Sequence, residues 1–248
     1  MRNTKKGLSA TTLFLIAFVL LVINHFCIVY DDVIGLNSTI NEIQWFITRP
    51  YCVIFYFLVA ESMTKTKDRK KFMLILLVLA LIFDLAYDKV FNHVYFDFTD
   101  QNDFFDFFMG ALTIFAYDKF EGNKPLQILS VVVLCAISWI TNLSGNVIAI
   151  LATLIFYVLR NDKNRLYIAA IAIVVSSFAL YAVWVLQERV VQDKLVYFAI
   201  QQAFGVFALP MIAKYNGEIG NLPKWVYYIF YPANIIIVKL IVDLIAKI

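Results

Sequence analysis

The chain has 248 residues, 62% hydrophobic and 16% charged, with a formal net charge of +3. Soluble domains average about 45–50% apolar residues, and here the excess falls in runs of about 18–22 residues, the length of a helix crossing roughly 30 Å of hydrocarbon. This composition excludes a water-soluble domain and, with no basic module motif present, a nucleic-acid binder.

Nine helices are expected, at roughly 8–30, 43–60, 71–91, 103–117, 126–143, 145–160, 166–186, 195–213 and 224–246. The fourth and sixth are short. Lipid leaves backbone amides unsatisfied outside helices and closed barrels, and these runs lack the alternation of a barrel strand. The fold class is therefore all-α: one polytopic helical bundle over residues 1–248, without a separate soluble domain. The first helix is too long, and too closely followed by others, to read as a removable signal peptide.

Lys and Arg are sorted by gap. Arg2, Lys5 and Lys6 precede the first helix. Lys65, Lys67, Arg69, Lys70 and Lys71 follow the second, and Lys119 and Lys124 follow the fourth. Arg160, Lys163 and Arg165 follow the sixth, and Lys214 and Lys224 follow the eighth. Only six of the 21 fall elsewhere: Arg49, Lys89, Arg189, Lys194, Lys239 and Lys247. The positive-inside rule then places the N-terminus in the cytoplasm and the C-terminus outside, and an odd number of spans agrees. Cys27, Cys52 and Cys135 lie inside apolar segments, which argues against disulfides or a metal set, and with two histidines no metal site is expected.

Polar groups inside spans are costly unless paired or wetted, so each is a functional candidate. Asn24-His25 lies in the outer half of the first helix. The imidazole is either an interfacial group bonded to a neighbouring helix or a general base in a protein-lined cavity. Arg49-Pro50 opens an aromatic run; Arg49 either snorkels to the surface or clamps an oxyanion or pyrophosphate. Glu61 closes the second helix before the five cations of 65–71. These are either an ordinary positive-inside loop or a dock for a phosphate-rich ligand. Asp84, in the third helix, needs a partner. Asn102, Asp103 and Asp106, the caps Asn142 and Asn146, and Gln201 and Gln202 read as interhelical glue. His93 reads as a loop residue. Tyr215 to Gly220 (YNGEIG) is a compact turn. Pro232 kinks the last helix between Tyr231 and Asn234, which is either a plain kinked span or a local widening suited to a ligand.

Taken in order, these segments resemble the TraX family of polytopic membrane proteins. That family includes the F-pilin N-acetylase and is distantly similar to the membrane acyltransferase-3 superfamily. The matching features are the pair ending in His25, Arg49-Pro50 with its aromatic run, and Ala60-Glu61 with Thr64 or Thr66 before a basic segment. Asn102 and Gly110, then the closing YNGEIG and FYPAN segments, complete them. The chain departs from the family pattern at four places. Asn24 stands for an Asp, Ser62 for a Gly, Ile219 for an Arg and Asn234 for a His.

The resemblance implies transfer of an acetyl or other acyl group from cytosolic acetyl-CoA to an amine or hydroxyl of an extracytoplasmic peptide or glycan, at the cell membrane. It implies His25 as the base, with Asn24, Asp84 and Arg49 organising the site and Arg49 facing the thioester oxyanion. Donor binding falls to Glu61, Lys65, Lys67, Arg69, Lys70, Lys71, Tyr215, Asn216, Tyr231 and Asn234. Beyond the lipid bilayer the expected partners are the acyl-CoA and the acceptor. Two other readings stand beside it: a transporter for a small solute or lipid, and a catalytically inactive membrane partner protein.

Overall fold

A computed structural model describes residues 6–97, 101–187 and 194–247. Arg2, Lys5 and Arg189 lie outside the described residues, as does the side chain of Lys224. The described residues form helices and no strand. Their order is α1 Ala10–Val33, α2 Ser38–Thr48, α3 Pro50–Lys65, α4 Arg69–Tyr87, α5 Asp103–Lys119, α6 Lys124–Ile140, α7 Asn146–Val158, α8 Arg165–Leu186, α9 Leu195–Ala203, α10 Leu209–Ala213 and α11 Lys224–Ile245.

Short polar side chains start several of these helices by satisfying an orphan backbone N–H. Ser9 accepts from Thr12 N, Asp68 from Lys71 N, Asn102 from Phe104 N and Asn123 from Leu126 N. α3 is apolar on all faces, with Val53 to Phe57 buried without a break, and a helix of that kind belongs inside. It packs against α1, α5 and α7 and forms the hub of the bundle. Outward-facing residues such as Leu81, Ile128, Val175 and Leu244 form the exposed apolar surface.

Among the described residues, five segments are long and apolar enough to cross a membrane: Ala10–Val33, Ser38–Lys65, Arg165–Leu186, Leu195–Ala213 and Trp225–Ile245. The chain is a helical membrane protein. α6 and α7 are apolar but shorter.

Three elements differ from the sequence reading. The helix expected at 43–60 starts earlier, capped by Asn37, because hydropathy marks only the apolar part of a helix. Pro50 sits at the first position of α3, where its missing N–H costs little, so α2 runs into α3 through Arg49 in helical conformation. The helix expected at 195–213 is interrupted by a 3₁₀ turn at Phe204–Ala208. There Gly205 lets the chain approach α3, since a Cβ would stand 2.7 Å from Val53 Cγ2. α4 ends in a π-helical turn, Asp88–Asn92, held by the buried Asp88 carboxylate. That carboxylate accepts from Asn92 Nδ2 at 3.1 Å and Asp97 N at 2.7 Å.

Alternating helix directions gather the basic loops at one end of the bundle. Lys65 reaches Tyr215, Arg69 reaches Asp118 and Tyr157, and Arg165 lies over Phe57. The loop at 214–219 is zipped to the start of α1. Ala10 N donates to Glu218 O at 2.8 Å and Thr11 N to Ile219 O at 2.9 Å, which satisfies first-turn donors of α1. The far end carries the Asp32–His93 pair and the bridge of Gln101 to Leu143.

Gly145, between α6 and α7, has no room for a side chain. A Cβ there would overlap the Tyr56 hydroxyl and stand 3.0 Å from Asp106 Oδ2, which accepts the Gly145 N–H at 2.6 Å. Gly145→Ala is expected to cost about 1–3 kcal/mol by overpacking, read as a lowered melting temperature of the detergent-solubilised protein. An unchanged melting curve would show that this turn yields freely.

Candidate functional site

His25 lies on the buried stripe of α1 with Leu21 and Val29, each one turn away, and is 4% exposed. It is enclosed by protein. Asn234 of α11 contacts it, with Nδ2 2.6 Å from His25 Nδ1. Two residues before Asn234, Pro232 interrupts the hydrogen-bond ladder of α11. The rings of Tyr231 and Phe91 flank the imidazole at centroid distances of 5.7 and 5.1 Å. The direction of the amide bond sets the tautomer. With Asn234 Oδ1 turned to accept from Nδ1–H, Nε2 carries the lone pair that a base requires. With Nδ2 donating, Asn234 Oδ1 is buried without a partner among the described residues.

Adjacent helical positions point about 100° apart, so Asn24 faces a different neighbour. Its amide donates to Gln44 Oε1 at 3.1 Å and Thr48 Oγ1 at 3.2 Å. Asn24 ties α1 to α2, and Asn234 is the residue that holds His25. Asp84 accepts from Asn102 Nδ2 at 2.8 Å, and the same amide donates to Ala80 O at 2.9 Å. Asp84 therefore fixes the start of α5. Arg49 stacks on Trp45 at 4.7 Å, and its Nε is buried without a hydrogen-bond partner among the described residues.

Two cavities approach His25 from opposite ends. The first, about 310 Å³, opens at the basic end beside Glu61, Lys65 and Tyr215. Its walls are Phe14, Phe18, Leu58 and Phe230, and its floor is Leu21, Phe55, Phe104, Phe107 and Tyr231. The second, about 260 Å³, lies toward the far end between Ile28, Val29, Asp31, Asp32, Asn41, Trp45, Val90 and Phe91. Tyr231 ends one, Phe91 borders the other, and His25 packs between these rings. On α1 the order Leu21, His25, Ile28 reads as first cavity, imidazole, second cavity.

At the first cavity's mouth, Lys65 Nζ is 2.9 Å from Glu61 and donates to Tyr215 Oη at 2.6 Å and Gly217 O at 2.7 Å. Burial pushes the Tyr215 phenol above its usual pKa, and the Lys65 hydrogen bond opposes that shift. Lys67, Lys70 and Lys71 are exposed. Arg69 is otherwise engaged, donating to Asp118 at 2.5 Å and to Tyr157 at 2.9 Å, a clasp across α4, α5 and α7. Asn216 serves the loop: its side chain accepts from Glu218 N, and its N–H donates to Leu8 O. The residues expected to bind donor thus separate. Glu61, Lys65 and Tyr215 stand at the mouth, Tyr231 at the floor and Asn234 on the imidazole.

Asp103, read from sequence as glue, supports the floor from behind through Tyr231. It is 7% exposed, accepts from Tyr51 Oη at 3.4 Å, and its N–H donates to Tyr231 Oη at 3.4 Å. The polar start of α5 was the available signal, but nothing in the chain pointed from there to Tyr231.

The family model described as TraX protein matches residues 9–242, a stretch containing both cavities and His25. The chain belongs to the TraX family. No curated protein and no solved structure matches it. Within this TraX chain, four residues singled out in the sequence lie at the first cavity or beside His25. Ser62 and Ile219 line the first cavity, Asn234 touches His25, and Asn24 adjoins it.

Arg69→Met is expected to lower the melting temperature, by roughly 1 kcal/mol of stability for a partly exposed ion pair. An unchanged melting temperature would show that the clasp of Arg69 with Asp118 and Tyr157 does not stabilise the bundle.

Proposed function

We propose that the chain is a nine-span acyltransferase of the plasma membrane, N-terminus inside and C-terminus outside. It moves an acetyl or other acyl group from cytosolic acetyl-CoA to an amine or hydroxyl of an outer peptide or glycan. The observation that carries this reading is one buried imidazole packed between a ring of each cavity, Tyr231 of the first and Phe91 of the second. A donor from one side and an acceptor from the other would there share a single base.

Lys67, Lys70 and Lys71 take the CoA phosphates, with Lys65 at the entrance. The arm runs down the first cavity, about 16 Å from Ala10 to Leu21 at 1.5 Å per residue. The thioester then meets Tyr231, whose oxygen accepts the Asp103 N–H and whose hydrogen is left for the carbonyl. A positioned donor of this kind is worth roughly 3–4 kcal/mol. His25 takes the acceptor's proton as its N or O bonds to the acyl carbon and the C–S bond breaks. The proton passes to the departing thiolate, giving free CoA and the acylated product. Asn234 sets the tautomer, and Arg49 on Trp45 holds the acceptor side.

In assays with labelled acetyl-CoA and membrane fractions, His25→Ala is expected to reduce transfer at least about 100-fold. Equal transfer by wild type and variant would remove His25 as base. Charge reversal at Lys67, Lys70 and Lys71 should weaken CoA binding about tenfold or more, with the effect shrinking as salt is raised. An unchanged dissociation constant would leave those residues to topology alone.

The paired cavities also suit a small-solute transporter with a His25 plug. Such a protein has no use for CoA, so solute flux without CoA binding selects that reading. Bound CoA without turnover across many acceptors identifies a catalytically inactive family member.

A further inference from the structure

We infer that Phe104 is the end-stop that sets the length of the acyl group on the donor. This rests on the acyltransferase reading above. Phe104 lies in the first turn of α5, at the floor of the first cavity. Its ring stands edge-on to Tyr231 at 5.1 Å, and Phe107 flanks it at 5.4 Å. Phe83 of α4 backs it at 5.3 Å, on the side away from the cavity. Phe104 is 4% exposed, and the cavity lies on the other side of its ring from Phe83.

Its backbone is pinned as well. Asn102 Oδ1 accepts the Phe104 N–H at 3.0 Å, while the Asn102 amide is anchored on Ala80 O and Asp84. Phe104 cannot shift without breaking the joint between α4 and α5. A thioester carbonyl within reach of the Tyr231 hydroxyl has its acyl carbon against this ring, because Tyr231 and Phe104 are in direct contact. A methyl group ends there. Each further methylene must displace a ring held on three sides, and close-packed interiors resist such insertion. One inserted methylene in a packed wall corresponds to about 5- to 150-fold weaker accommodation.

The test compares acetyl-, butanoyl- and hexanoyl-CoA on the detergent-purified full chain. Free thiol release and thermal protection by each thioester are both read. Wild type is expected to fall at least tenfold from acetyl to hexanoyl in both readouts. Phe104→Ala should bring hexanoyl to within about threefold of acetyl. Phe104→Leu, which preserves more of the packing, should move the cut-off partway and serves if the alanine variant fails to fold. Phe18→Ala, higher in the same cavity, should alter all three donors alike and keep the wild-type ratio.

The inference is overturned if wild type handles hexanoyl as well as acetyl. It is equally overturned if a folded Phe104 variant keeps the wild-type ratio. Neither result touches the transferase reading. If no thioester of any length is cleaved or protects the wild type, the transferase reading itself fails and this inference falls with it.

Discussion

The contact between His25 and Asn234 is the interaction on which the interior is organised. A buried imidazole among aromatic rings needs a polar partner, and here the fold brings one. That partner comes from the last helix, 209 positions away, and requires α11 to lie against α1. The hydrogen bonds of the 214–219 loop to the start of α1 hold the same two helices together at the basic end. The proposed function and the fold therefore share one joint.

Around that joint the bundle keeps two compartments of different character. The first cavity is walled by aromatic rings and polar mainly at its mouth, where Glu61, Lys65 and Tyr215 interlock. The second is bordered by Asp31 and Asp32, with Trp45 linking it to Arg49. Rings of Tyr231 and Phe91 separate both from His25. Phe91 sits on a π-helical turn, a distortion often found where a helix serves a site rather than only packing.

Buried carboxylates are handled locally. Asp84 is met by Asn102, Asp88 by Asn92 and a backbone N–H, and Asp106 by the Gly145 N–H. Each ties a loop or helix start to its neighbour. In low dielectric, a polar network with its hydrogen bonds made stiffens the structure. That stiffness positions Asp103 and Phe104 under Tyr231, so residues that read as glue also shape the floor.

Hydropathy and charge run along the chain, and what depends on them was legible in the residues. The all-helical class, the helix positions, the basic end and the suspicion attached to His25 follow from periodicity and from the cost of polar groups in lipid. Family membership was also visible, because ordered short motifs survive without any knowledge of contacts. Pairing was not visible. Asn24, adjacent in sequence to His25, turns to Gln44 and Thr48, whereas distant Asn234 reaches the ring. Arg69 looked like a free cation until Asp118 and Tyr157 closed on it. Asp103 came to support Tyr231 only once α5 met α11. Side-chain direction and helix neighbours are set by packing in three dimensions, and no one-dimensional pattern encodes which helix will face which.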